Sequence, residues 1–225
     1  MQISQLITEG LNSNYSDPSF FVDIHMRLRT LDHPANLSKI GLWHEGVTSW
    51  IGDPYWIVNA AFSKTASTVI SQAYHKLWNI KMTIHDKQTE DRLGFIRNIT
   101  LKNESSMVRP IKLIVHQVSL SNEKGVVFYS PNEKSLIHHT QDMFSLHSVS
   151  MPLAYHIQHG AGDMKRNWND HEGKLFFSPF SATSVESVIA CSSTLEPNLV
   201  YKAQAWQLVG KHLSELKLAN ERLME

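Results

Sequence analysis

Apolar and polar side chains alternate one for one along much of this chain. Val22, Ile24, Met26 and Leu28 alternate with Asp23, His25, Arg27 and Arg29, and Trp78, Ile80, Met82 and Ile84 alternate with Asn79, Lys81 and Thr83. Successive side chains of an extended backbone point to opposite faces, so each stretch predicts a strand with one face on a core and the other in water. The stretch 95–102, the turn-forming run Asn103-Glu104-Ser105-Ser106 and the apolar segment 111–115 together predict a hairpin. Further strands are expected at 39–43, 47–51, 55–62, 126–129, 136–139, 143–149, 153–158, 184–191 and 199–208. Their recurrence every roughly 8–12 residues, with Gly, Pro, Asn and Ser between them, suits an antiparallel sandwich rather than strand-helix-strand units.

Only the end of the chain changes period. Val209, Leu213, Leu216 and Leu223 recur at helical intervals among Glu215, Lys217, Glu221 and Arg222, and no Pro or Gly follows Gly210. This predicts one β-domain over 1–208 and an amphipathic helix over 209–225. With no internal repeat and no linker-like composition, a single domain is favoured.

Composition narrows the partners. A chain of 225 residues, 42% hydrophobic and 19% charged, can bury a full core. Lys+Arg and Asp+Glu both number 21, which leaves no net positive charge to neutralise a phosphate backbone, so nucleic acid is a poor partner. No basic residue precedes an apolar run in Met1 to Gly10, and no run of about 18 apolar residues occurs anywhere, so neither secretion nor a membrane span is expected. The single cysteine, Cys191, lies within the apolar run Val188-Ile189-Ala190-Cys191 and reads as a small buried hydrophobe in a reducing, cytoplasmic setting.

Candidate chemistry is sparse. Thirteen histidines raise the question of a metal, six of them (His138, His139, His147, His156, His159 and His171) in one third of the chain. Neither a CxxC pair nor an HExxH helix is present, and His138 and His139 on one strand would point to opposite faces, so no metal site is expected and the histidines are read as surface or loop residues. Asp170 and Glu172 form an acidic pair in the aromatic-flanked loop Trp168-Asn169-Asp170-His171-Glu172-Gly173, a spacing compatible with the ~5–9.5 Å between glycosidase carboxylates but equally with a turn. Glu45 and Asp53, near three tryptophans, allow the same two readings. Trp43, Trp50, Trp56 and Trp168 are candidate platforms for sugar rings, since an indole offers a flat apolar face and a polar edge. No phosphate loop, dinucleotide fingerprint or nucleophile elbow is present, and no cofactor is expected.

The order of several segments resembles the N-terminal β-domain of prokaryotic glycoside hydrolase family 15 proteins, the glucoamylase and glucodextranase group. These are Gly41-Leu42-Trp43-His44-Glu45-Gly46 with Ser49-Trp50-Ile51-Gly52-Asp53-Pro54-Tyr55-Trp56, then Ile96 to Asn103 continuing to Leu113-Ile114-Val115-His116-Gln117. Gly125 to Pro131 with Leu136-Ile137-His138-His139 follows, and finally Trp168 to Leu175 with Ser184 to Ile189. The first forty residues lack the glycine-rich opening strand and aromatic-proline turn of that family.

The resemblance implies an all-β fold of two large antiparallel sheets face to face, a supersandwich like that of galactose mutarotase, with a C-terminal linker helix. It implies a six-hairpin helical barrel, in cis or from a neighbouring gene, that carries both catalytic glutamates for inverting hydrolysis of α-glucosidic bonds. No residue here matches a catalytic position of the family, so none is assigned. The expected role is thus a non-catalytic module packed against such a barrel, with the stripe Leu213, Leu216 and Leu223 partly exposed and seeking a partner, and with Glu225 lying where the linker would hand over. Two rival expectations stand beside it: a stand-alone module that binds α-glucans through Trp43, Trp50, Trp56 or Trp168 aided by Asp170 and Glu172, and a small mutarotase-like epimerase using a histidine and a carboxylate between His156 and Glu172.

Overall fold

The computed structural model describes residues 20–30, 36–62, 68–120 and 124–225. The segment Met1 to Gly10 and most of the atypical first forty residues lie outside them. Two sheets face each other. The first, sheet A, contains β1 (Phe20–Val22), β2 (Leu28–Thr30), β3 (Asn36–His44), β4 (Val47–Trp50), β9 (Arg109–Ser119), β13 (His156–Ala161) and β17 (Glu186–Leu195). The second, sheet B, contains β5 (Trp56–Phe62), β6 (Thr68–His75), β7 (Ile80–Gln88), β8 (Gly94–Asn103), β10 (Gly125–Ser130), β11 (Ser135–Thr140), β12 (Met143–Ser150), β16 (Phe180–Ser181) and β18 (Val200–Gly210). Between β13 and β16 a short helix α1 (Met164–Asn167) and the small hairpin β14 (Trp168–Asn169) and β15 (Lys174–Leu175) leave the sandwich. The chain ends in α2 (Leu213–Met224).

All pairings between named strands are antiparallel, and β3, β9 and β17 form the centre of sheet A, in the order β1-β2-β3-β9-β17-β13. The alternation read from the sequence is realised there. Ile40, Leu42, Ile111, Leu113, Val115, Ile189 and Cys191 face inward and meet Ile80, Met82, Ile84, Ile99 and Leu101 of sheet B in one core. The β3–β4 hairpin turns at Glu45 and Gly46, both with positive φ (46° and 85°), the left-handed pair that matches strand twist in a two-residue loop.

The structure differs from the sequence expectations at several places. The stretch 22–29 is not one strand, because the Asp23 carboxylate accepts from the backbone N–H of His25 and Arg27 and from Arg27 Nε, folding a turn between β1 and β2 that leaves Ile24 exposed. Segments 95–102 and 111–115 do not pair as a hairpin. The chain crosses from β8 in sheet B to β9 in sheet A, with the buried Asn103 amide donating to Met107 O and Leu195 O at the crossing. Strand β6 was not foreseen, since its Val69-Ile70 and Ala73-Tyr74 steps break alternation. The stripe of α2 packs within the chain in part: Leu216 is fully buried, and with Ala219 and the half-buried Leu213 and Leu223 it covers Ile96, Ile137, Leu146, Trp206 and Leu208 on the outer face of sheet B. Val209 belongs to β18, not to the helix.

Candidate functional site

The outer face of sheet A gathers most of the residues singled out in the sequence. Register places Lys39 beside His116, Gly41 beside both Trp50 and Ile114, and Trp43 beside both Thr48 and Lys112. These outer positions are the polar half of the alternation, yet the excursion from Asp163 to Leu175 lies over them. Its Leu175, Met164 and Trp168 pack with Trp43 and Trp50 on Ile114, Val188 and Ala190. Asp163 starts α1 by accepting from the Lys165 backbone N–H at 2.8 Å, and Gly173 returns the small hairpin with φ 58° directly against the Trp43 indole.

The indoles are held by their edges and faces. Trp43 Nε1 donates to Asp170 O at 2.6 Å, and Trp168 Nε1 to Thr48 Oγ1 at 3.0 Å and Asp170 Oδ1 at 3.3 Å. Trp50 lies across Gly41, where a Cβ would stand 2.7 Å from its Cε3, and Lys39 Nζ sits 4.4 Å from its ring centroid. Burial lowers the pKa of Lys39 and of Lys112, whose ammonium lies near the Trp43 ring and donates to Gln158 Oε1 at 3.3 Å. Beside Trp50, His116 Nε2 donates to Glu186 Oε2 at 3.1 Å, the carboxylate being able only to accept. Burial keeps His116 below the usual imidazole range, while that hydrogen bond, ahead of the rest, holds Glu186 below the usual carboxylate range.

Trp43, Trp50, Trp168 and Asp170 are thus brought together, with Glu172 exposed on the same turn. Trp56 is not. It is 7% exposed within the inter-sheet core, its Nε1 donating to Ser49 Oγ, and has no face for a sugar. Asp170 serves its loop through both its carbonyl and its carboxylate, and the Glu172 backbone N–H is fixed by Asn169 Oδ1 at 3.3 Å. Glu45 is exposed, whereas Asp53 Oδ2 accepts from the Trp50 backbone N–H at 2.7 Å, a turn-forming role.

The histidines divide differently from the surface reading. His156 and His171 are exposed, but His138 and His147 are 2% and 1% exposed, and His44, His75 and His116 are also buried. His138 and His139 do point to opposite faces: His139 stacks on Phe144, while His138 Nε2 meets Ser187 Oγ of the other sheet at 2.7 Å. Burial pushes His138 down to about 3 and His75 and His159 down to about 4, and takes His147 well below its ordinary value. Among the described residues no group of three or more His, Cys, Asp or Glu side chains could hold a metal ion, and no helix is long and apolar enough to cross a membrane. Cys191 is fully buried and burial raises its thiol to about 12, which leaves no thiolate to react.

A polar layer inside the sandwich was missed. Arg97, 3% exposed, donates to both oxygens of the fully buried Asp86, and also to Met26 O and Ser38 O. Around it lie Gln117, Gln207, His138, His147, Ser145 and Ser187, all on inward positions. The signal was available as polar residues on otherwise apolar faces of 95–102 and 199–208, but alternation alone does not say which face is the core when both carry polar groups.

No protein-family model matches the chain, and no curated protein matches it. Among solved structures, a bacterial glucoamylase complexed with acarbose aligns with a TM-score of 0.65 at 11% identity, over 100% of this chain and 37% of its own. A protein assigned as a kojibiose phosphorylase from the human microbiome aligns with a TM-score of 0.54 at 14% identity, over 96% of this chain and 28% of its own. At such identities the likeness is one of fold: this chain has the β-sandwich architecture that forms part of those two longer proteins, and it spans well under two thirds of either.

Proposed function

We propose that this chain is the non-catalytic β-domain of a carbohydrate-active enzyme of the glucoamylase kind, family 15 by its segment order. It would pack against a six-hairpin helical barrel that carries the hydrolysis of α-glucosidic bonds. The observation that carries this reading is the end-to-end alignment of the chain with a part of a bacterial glucoamylase. The outer face of sheet A agrees with it, because the indoles, the His116–Glu186 pair and Asp170 are occupied in building the face itself. The test is to mix the purified chain with a helical barrel protein encoded in the same genome and follow sedimentation. A stable one-to-one complex is expected; two independently sedimenting species would overturn the reading.

One observation favours a second reading, in which the chain binds α-glucans itself. Trp50 and Trp168 are only half-buried and share their face with Lys39 and Glu186. Calorimetry with malto-oligosaccharides separates the two, since a scaffold gives no heat of binding. A heat that disappears in Trp50→Ala would favour the glucan-binding role.

A further inference from the structure

The polar layer between the sheets contains amide groups without hydrogen-bond partners among the described residues. Gln207 is 3% exposed, and neither its Nε2 nor its Oε1 has a hydrogen-bond partner among the described residues. Gln117, on the opposing sheet, uses Nε2 to reach Ser38 Oγ at 2.9 Å, while its Oε1 has no partner among the described residues. Both amides line a cavity of about 10 Å³, with Ser38, Arg97, Leu28, Phe95, Ala205 and Trp206 completing the wall. Leaving a buried amide oxygen or nitrogen unpaired costs roughly 1–3 kcal/mol, so such groups are nearly always satisfied by something.

The dimensions and the donor set decide what that something is. A cavity of roughly 10–15 Å³ accommodates one water and nothing larger, and a water needs two to four polar partners. An anion gains no charge here, because the Arg97 guanidinium is already bound to Asp86 and to two carbonyls. A cation would find amide oxygens but no free carboxylate. An apolar guest would leave all three amide atoms dry.

We infer that one water molecule is bound between the sheets, donating to Gln117 Oε1 of β9 and hydrogen-bonded to an amide atom of Gln207 on β18. The site is a bridge. It links the centre of one sheet to the centre of the other at the level of the Arg97–Asp86 pair, where apolar contact is interrupted. Three direct contacts already cross the sandwich here, from Arg97 to Ser38 O and Met26 O and from His138 to Ser187. The water supplies a fourth.

A crystal structure of the full chain at a resolution that orders solvent tests this. The expected result is a single peak about 2.7–3.2 Å from both Gln117 Oε1 and a Gln207 amide atom. An empty cavity, or the two amides bonded directly to each other, would overturn it. In crystals of Gln207→Met the peak should vanish while the fold is retained; a peak persisting at the same place would mean that Gln207 does not hold the water, and the bridge would fail. Should that variant not fold, the density in the unaltered protein decides.

Discussion

At the scale of single residues, two positions carry more than their neighbours. Gly173 combines a φ of 58° with an indole against the place a Cβ would take. Gly173→Ala is therefore strained twice, by backbone and by contact, and should lower stability by roughly 1–3 kcal/mol in urea titration, with a shift in tryptophan emission as Trp43 moves. An unchanged midpoint would show that the 163–175 excursion yields freely. Arg97 is the second. Arg97→Leu leaves the Asp86 carboxyl, whose pKa burial already raises, without its partner inside the sandwich and takes a donor from Met26 O and Ser38 O, a loss of roughly 3–5 kcal/mol. Removing the carboxyl as well, in Asp86→Leu with Arg97→Leu, should recover part of that loss, because the unpaired buried carboxyl goes. What the sequence could show at this scale was the type of a side chain, not its neighbour. Cys191 could be read as buried because it closes the apolar run Val188-Ile189-Ala190. Trp43, Trp50, Trp56 and Trp168 could not be sorted, since an indole in a strand looks the same whether its ring faces solvent, a glycine or a core.

At the scale of elements, α2 is the piece whose role changed most. Its apolar stripe was legible from helical spacing, but the surface that receives it was not, because Ile137, Leu146 and Leu208 come from three separate strands and meet only through register. The docking is more than apolar. Trp206 Nε1 donates to Asn220 Oδ1 at 2.8 Å, Asn220 Nδ2 donates to Glu133 O at 3.0 Å, and Lys217 pairs with Glu133 at 2.9 Å. Asn220→Ala leaves a buried indole N–H unsatisfied and takes one of two donors from Glu133 O, which Ser135 Oγ still serves, and should lower stability by roughly 1–3 kcal/mol in denaturant titration. Lys217→Ala, at a half-exposed pair, should change it by less than about 1 kcal/mol. Equal effects of the two would mean that the helix is held by charge rather than by the buried amide. The β3–β4 hairpin was legible for the opposite reason. Its pairing is local, fixed by a two-residue Glu45-Gly46 turn, whereas the passage from β8 to β9 between sheets has the same sequence appearance as a hairpin and is decided by partners some ninety residues away, such as Leu195 accepting from Asn103.

At the scale of the whole molecule, the alternation was enough to give two antiparallel sheets, and buried polarity is what the pattern concealed. That polarity makes the fold sensitive to acid. His75 and His159 stay neutral down to about 4, His138 down to about 3, and His147 lower than its ordinary range, in each case chiefly because burial disfavours the imidazolium. In the unfolded chain the same groups protonate near ~6.5. Between pH 6.5 and about 4 the unfolded state thus binds protons that the folded state refuses, so the stabilisation is fully present above pH 6.5 and is lost as pH falls through that window. At pH 5 His75, His159 and His138 each lower stability by roughly 2 kcal/mol, and together they rival the ~5–15 kcal/mol by which domains are usually folded. Urea midpoints measured at pH 7, 6 and 5 should fall steeply with an unchanged slope. The descent should begin near pH 6.5 rather than near the carboxylate range, and His138→Asn should make it shallower, because one site for the opposing proton is gone. A midpoint level from pH 7 to 5 would mean that these histidines reach water in the folded protein, and the sealed polar layer between the sheets would have to be abandoned with it.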